Sequence, residues 1–317
     1  MCTDTLFTMN YYFAPMEGIT TYIFRNAFAK YYGGCSTYYT PFFSSIGFNK
    51  RELHDINPEN NKNLRVVPQI LCNDTGIFLT LADKFADLGY DEVNLNLGCP
   101  SGTVVAKKKG SGFLSVPDRL EAFLETVFDK SPLPISVKTR IGVKDAENWE
   151  QILDLYAKYP IKELIIHPRF QKQFYRDMPS LDAYVLATKK INVPLVYNGN
   201  IEDPSHLAAL LKKAPATDTV MIGRYLLYNP ELITELNGSE PSLDLVRFRD
   251  FHAEMMEGYL SEMPGDRPLL HRMKELMFYC CHYIARCKGE SDTDSMIKKI
   301  RKAEHLAEYK AAVQSIL

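Results

Sequence analysis

A (β/α)8 barrel followed by a small all-α C-terminal region is the fold class the sequence predicts, and three observations carry it. Eight short apolar runs of strand character recur between residues 11 and 223. Amphipathic segments of helical period lie between most of them, so β and α alternate throughout. Strand character then ceases, and a barrel of roughly 250 residues with one appended module accounts for the 317-residue length.

The strand-like runs are 11–14, 36–41, 65–71, 92–96, 135–139, 163–167, 194–198 and 219–223. Helical periodicity marks 22–31, 77–88, 117–130, 148–159, 180–190 and 204–213. The second unit is the exception: residues 42–63 are polar, asparagine-rich and without helical phase, which predicts an irregular loop or short helices. The run Asn237-Gly238-Ser239-Glu240-Pro241-Ser242 reads as a linker, dividing the chain into a barrel over 1–238 and a helical module over 239–317. Within that module one helix is expected over 296–309, with Met296, Ile300, Ala303 and Ala307 on its apolar face and Lys298, Lys299, Arg301 and Lys302 turned away.

Composition, at 46% hydrophobic and 24% charged, is that of an ordinary globular protein. No apolar run approaches the roughly 18 to 20 residues of a membrane span, and the first ten residues lack a basic start followed by a hydrophobic stretch, so a cytoplasmic protein is expected. Seven cysteines without a C-x-x-C pair suggest neither a disulfide framework nor a zinc site, and no metal is expected. A net charge of −2 argues at first against a nucleic-acid partner. The distribution argues the other way. Residues 267–317 hold ten basic and six acidic residues, whereas 240–266 hold two and seven. A basic outer face on a helical module suits a bulky polyanion.

The candidate chemistry sits at strand ends. Asn94-Leu95-Asn96-Leu97-Gly98-Cys99-Pro100-Ser101 ends the fourth strand in an abrupt Gly–Pro turn, which places Cys99 on a sharply turned loop. Alone, such a cysteine is most often a small buried hydrophobe. Its neighbours point elsewhere: the loop continues as a cationic, glycine-punctuated stretch with Lys107, Lys108 and Lys109, able to approach a ligand with backbone. Lys138 and Arg140 end the fifth strand and His167 the sixth. Gly199 and the pair Gly223-Arg224 follow strands seven and eight, where barrels frequently bind phosphate. Any phosphate-bearing ligand would fit there.

In chain order, APMEGIT (14–20), VPQI (67–70), NLNLGCPSGTVV (94–105), VKTRIG (137–142), IHPR (166–169), YNGNI (197–201) and IGR (222–224) resemble the tRNA-dihydrouridine synthase family over about two hundred residues. The resemblance implies an enzyme that reduces the C5–C6 double bond of uridines in tRNA, with FMN bound across the barrel mouth. NADPH or NADH is the implied hydride donor. The positions matching the flavin contacts are Pro15, Met16, Glu17, Gln69, Lys138, His167, Asn198, Gly199, Asn200, Gly223 and Arg224. Cys99 matches the general acid, and Asn96 a uracil-binding asparagine. A neutral thiol with an ordinary pKa of roughly 8.5 is a usable proton donor at pH 7. A uridine within tRNA must leave its stack to reach such a site. Arg140, Lys107, Lys108 and Lys109 are then expected to contact the RNA near the pocket, and the Lys298, Lys299, Arg301 and Lys302 face to hold the tRNA body. A monomer is expected.

Three positions depart from the family words: Thr21 replaces a common aspartate that could cap the first helix, and Pro168 and Phe170 replace a glycine and a threonine. Two other functions fit parts of the same pattern. One is an FMN barrel acting on a free pyrimidine, which needs no basic helical module; the other is a tRNA-binding protein that has kept only the scaffold, against which stand intact Cys99 and Lys138.

Overall fold

Eight parallel strands, β1 (Asn10–Phe13), β2 (Thr37–Phe43), β3 (Val66–Ile70), β4 (Val93–Leu97), β5 (Ile135–Gly142), β6 (Leu164–Phe170), β7 (Leu195–Tyr197) and β8 (Thr219–Ile222), pair in chain order. The barrel closes through β1 and β8, with Asn10 opposite Thr219 and Phe13 opposite Ile222. The computed structural model describes residues 9–145, 148–263 and 265–317, so most of the opening stretch read above for a targeting segment lies outside it. Helices α1 (Tyr22–Tyr31), α2 (Lys50–Ile56), α3 (Pro58–Asn61), α4 (Thr75–Asp87), α5 (Gly102–Ala106), α6 (Pro117–Lys130), α7 (Trp149–Tyr156), α8 (Leu181–Lys190), α9 (Pro204–Lys213), α10 (Arg224–Tyr228) and α11 (Leu232–Leu236) alternate with or follow the strands. Four helices complete the chain: α12 (Leu245–Glu262), α13 (Asp266–Lys288), α14 (Thr293–Lys302) and α15 (Leu306–Ile316). Among the described residues no helix is long and apolar enough to cross a membrane.

The strand period of two decides what reaches the mouth. In β4, Val93, Leu95 and Leu97 join the large core under the helices, while Asn94 and Asn96 take the alternate face. The same alternation gives the lumen Val67 and Gln69 from β3, Ser136 and Lys138 from β5, Ile165 and His167 from β6, and Val196 followed by Asn198 from β7. Ala14, Tyr39, Val67, Ile165, Val196 and Met221 fill the lumen as a separate apolar cluster. The polar members lie one step further toward the C-terminal ends, which is where barrels place their sites.

The second unit contains the short helices expected of it, and its asparagines are their caps. Asn49 Oδ1 accepts from the N–H groups of Arg51 and Glu52 while Glu52 returns a bond to Asn49 N, and Asn57 caps α3. The departure at Thr21 is compensated across space. Thr21 makes no capping bond of its own; Asp55 Oδ1, from α2, accepts from Tyr22 N at 2.5 Å. Asp55 also pairs at 3.2 Å with Arg25, which is fully buried and reaches Thr20 O at 2.7 Å. The loop after β1 is thereby tied to α1, α2 and α3.

The C-terminal helices are set against the barrel's first helix. Phe251 packs edge-on against Phe24, Tyr31 and Tyr32, and a Cβ on Gly258 would come within 2.7 Å of Ile23. Buried Glu231 accepts from Tyr283 OH, Ser242 and Leu243 N. One expectation is corrected here: the single helix over 296–309 is two helices. Backbone at Ala303 is extended, Lys274 Nζ takes the Arg301 carbonyl at 3.0 Å, and Glu308 caps the new start by accepting from Glu304 N. Met296, Ile300 and Ala303 are buried as expected, but Ala307 is exposed because it belongs to the second helix. Lys298, Lys299, Arg301 and Lys302 face solvent. All six described cysteines are free thiols.

Candidate active site

The turn that carries Cys99 is fixed by an oriented chain of amides. Asn96 Oδ1 accepts from Gly98 N at 3.0 Å and Cys99 N at 2.9 Å. Two backbone donors on that oxygen fix the flip of the amide, so Asn96 Nδ2 donates to Gln69 Oε1 (2.7 Å), Gln69 Nε2 to Asn94 Oδ1 (2.8 Å) and Asn94 Nδ2 to Ser136 Oγ (2.9 Å). The relay spans β3, β4 and β5, and Gln69, Asn94 and Ser136 have no solvent exposure. On the other side Ser111 clamps the Cys99 carbonyl through N and Oγ, at 3.1 and 2.8 Å. Gly110 sits at φ +53 directly behind, where a Cβ would lie 2.9 Å from Cys99 Cβ. Only glycine permits that approach.

Cys99 opens into a cleft of about 1010 Å³ over the strand ends, which continues into a smaller lobe of about 480 Å³. Pro15, Met16, Lys138 and His167 border both; Glu17, Gln69, Asn96 and Arg140 border the first, and Asn198, Gly199, Asn200, Gly223 and Arg224 the second. Every expected flavin-contact position therefore converges on one continuous cleft. Burial raises the Cys99 thiol above its ordinary pKa and keeps it protonated, with Lys138 and Arg140 opposing the shift.

The floor around His167, which borders both lobes, is cationic. Lys138, Arg140, Arg169 and Arg224 converge on His167, and none of the four forms an ion pair among the described residues. Burial, and then these four cations, push His167 well below its usual value. Arg169 Nη1 donates to His167 Nε2 at 2.9 Å, and since guanidinium is only a donor, the neutral ring carries its proton on Nδ1. Burial and Arg140 lower the Lys138 ammonium to about 7. Burial also lowers Arg140, to about 10. Uncompensated cations at this depth are costly until an anion arrives. A phosphate, with several acceptor oxygens, fits that donor set.

Some expected ligands are committed to protein groups. Arg140 gives Nε to Gly98 O (3.1 Å), Nη1 to Phe170 O (3.1 Å) and Nη2 to Phe174 O (3.0 Å), so from β5 it ties the Cys99 turn to the end of β6 and the loop beyond it. Asn200 takes Arg169 Nη1 on its oxygen and gives its nitrogen to Tyr225 and Glu202. Lys107 and Lys108 are exposed on the turn after α5, where Asn73 Nδ2 bonds both their carbonyls, and with Lys109 they lie outside the cleft lining. The four tail cations are likewise outside it.

Sequence reasoning missed four contributors. Arg169, 1% exposed, fixes His167. Tyr175 covers Arg224, its ring centroid 3.9 Å from the guanidinium carbon. Glu275 and Tyr279 reach the cleft from α13. Arg169 was legible from its place two residues beyond His167 on one strand face; the α13 residues had no local signal.

Comparison with known proteins shows the family and the barrel. A model of the dihydrouridine synthase family matches residues 12–316. A protein of Staphylococcus epidermidis named probable tRNA-dihydrouridine synthase is 26% identical over 292 residues, covering 88% of this chain and 86% of its own. The Vibrio vulnificus protein named tRNA-dihydrouridine synthase B is 27% identical over 270 residues, covering 80% and 82%. Among solved structures, histamine dehydrogenase from Rhizobium sp. 4-9 superposes with a TM-score of 0.54 at 11% identity, over 77% of this chain and 46% of its own. A 2-naphthoyl-CoA reductase gives 0.55 at 12%, over 73% and 50%; both show the shared barrel fold. With a family match that runs from β1 to the end of α15, the chain belongs to the dihydrouridine synthase family.

Proposed function

We propose that the protein is a cytoplasmic, FMN-dependent tRNA-dihydrouridine synthase that saturates the C5–C6 bond of uridine in tRNA at the expense of NADPH or NADH. One observation carries the reading: a half-buried thiol of raised pKa faces, across a single cleft, cations around His167 that form no ion pair among the described residues. In this reading the backbone of the Asn198–Asn200 segment, Gly223, Arg224 and Lys138 would hold the flavin phosphate, while Pro15 and Met16 would border the ring. The chemistry such a flavin would supply is the hydride for C6 of the uracil.

The remaining chemistry belongs to the chain. Cys99 Sγ gives its proton to C5 as the hydride reaches C6, which completes the saturation. The resulting thiolate lies beside Lys138 and Arg140, whose charges stabilise it until it takes a proton from solvent. Asn96, through the oriented amide relay, and Ser111, through the Cys99 carbonyl, hold the turn so that the thiol keeps one position. Preorganisation of this kind removes reorganisation from the barrier.

The test is a pair of half-reactions on purified protein under anaerobic conditions. Yellow protein reduced by NADPH or NADH, then reoxidised by unmodified tRNA and not by free uridine or uracil, is the expected result. Colourless protein that still binds tRNA would support the scaffold alone. Reoxidation by a free pyrimidine would support a small-molecule enzyme.

A further inference from the structure

Between β6 and α8 the chain exposes three large apolar side chains within five residues: Phe174 at 41%, Tyr175 at 49% and Met178 at 60%. Single exposed apolar residues are ordinary, but Phe174 and Tyr175 also line the cleft. Lys172 and Arg176, both exposed, flank the two rings in sequence.

The loop is not slack. Arg140 holds the carbonyls of Phe170 and Phe174, Arg169 Nε and Nη2 both hold that of Asp177, and Gln171 Nε2 donates to Pro100 O at 2.9 Å, inside the Cys99 turn. Phe174 itself sits at φ 49, ψ −97, a left-handed conformation that a residue with a ring rarely adopts. Two buried arginines thus keep a strained backbone in a shape that turns aromatic rings outward beside the acid. Tyr175 already stacks one face on Arg224. Phe174 has no ring partner among the described residues.

Aromatic rings alternating with cations match single-stranded nucleic acid, whose bases offer π faces and whose backbone offers phosphates. We propose that Phe174 and Tyr175 form a stacking platform for the unpaired nucleotides beside the base that enters the cleft, with Lys172 and Arg176 on their phosphates. This rests on the tRNA reading above, and it assigns to the loop after β6 a share of the choice of uridine.

The test uses the full-length, flavin-loaded protein, pre-reduced, with unmodified tRNA transcripts. Phe174→Ala and Phe174→Gly should raise the tRNA concentration for half-maximal reoxidation by roughly five- to a hundredfold, the worth of one base–aromatic stack. Phe174→Trp should restore it. Phe174→Gly should melt no lower than Phe174→Ala, since glycine tolerates the left-handed backbone, so stability and tRNA affinity move apart. Equal tRNA requirement in all variants overturns the platform, as does equal loss in all three, which would mean the ring is irrelevant. A change of sedimentation without a change in tRNA requirement also overturns it, in favour of a protein contact. If the unsubstituted enzyme is not reoxidised by tRNA at all, the functional reading fails first and the platform with it.

Discussion

The two lobes of the cleft share a floor and solve opposite electrostatic problems. Around His167 three arginines and Lys138, which titrates near 7, converge without an ion-pair partner among the described residues, so this part of the cleft carries an excess of positive charge before any ligand arrives. Around Cys99 a relay of neutral amides, satisfied among themselves, holds the turn, and burial raises the thiol against the opposing pull of Arg140 and Lys138. The first arrangement suits holding an anion permanently. The second suits releasing a single proton on demand. Lys138 and Arg140 border the division, both lowered chiefly by burial and Lys138 further by Arg140, and they stabilise whatever negative charge forms on either side.

The largest expected effect separates the lobes outright. Cys99→Ala should slow reoxidation of the reduced flavin by tRNA by roughly two to four orders of magnitude, the usual worth of a placed general acid. Stopped-flow absorbance reads it, and the reduction by NADPH followed in the same instrument should be unaffected. Equal slowing of both steps would make Cys99 structural. Because the thiol is the acid form and its pKa is raised, the tRNA step should hold through neutral pH and fall only as pH passes above the ordinary thiol range.

Arg224→Ala attacks the other lobe. Loss of one charge-assisted bond of about 1.5 to 3 kcal/mol should weaken FMN binding on the order of ten- to a hundredfold, measured by fluorescence titration of the apoprotein. Full flavin content in that variant would put the phosphate elsewhere. A smaller effect tests the shared floor. Lys138 titrates near 7 without a ligand, and an anion beside it favours its charged form. Binding is then fully supported below pH 7 and weakens as pH rises through that value, by at most about tenfold per pH unit. Calorimetry in two buffers of different ionisation enthalpy should show proton uptake above pH 7.

The mildest prediction contrasts these buried cations with exposed ones. Neutralising Lys298, Lys299, Arg301 and Lys302 together should flatten the salt dependence of tRNA binding by up to about 0.7 to 0.9 log units per lost phosphate contact, with FMN affinity unchanged. An unchanged slope would leave that face an ordinary solvated one.

How far these regions were legible from sequence follows from how local their causes are. A strand of period two ending in Gly–Pro shows β4 and its turn directly, whereas the polar, asparagine-rich run 42–63 leaves an irregular loop or short helices open, and the structure has short helices capped by those asparagines. The position of Cys99 was readable for the same reason. Its support was not: Ser136, Asn94 and Gln69 become neighbours only when strands 42 and 25 residues apart align in register. Arg140 carries charge that reads as a ligand for RNA, yet its donors meet three carbonyls brought from elsewhere. The break at Ala303 escaped a periodicity argument because its causes, Lys274 on the Arg301 carbonyl and Glu308 as a cap, lie outside the apolar pattern.

The seam between α12 and α1 bears on how such a protein changes its choice of substrate. Phe251 is wedged among Phe24, Tyr31 and Tyr32, Gly258 leaves no room beside Ile23, and α13 sends Glu275 and Tyr279 back into the cleft that Cys99 lines. A chimera that grafts on a foreign tail therefore exchanges half of an interdigitated joint and a wall of the active site at once. Outward faces carry no such constraint: Lys298, Lys299 and Lys302 on α14 face solvent and can be exchanged one at a time without disturbing the joint beneath.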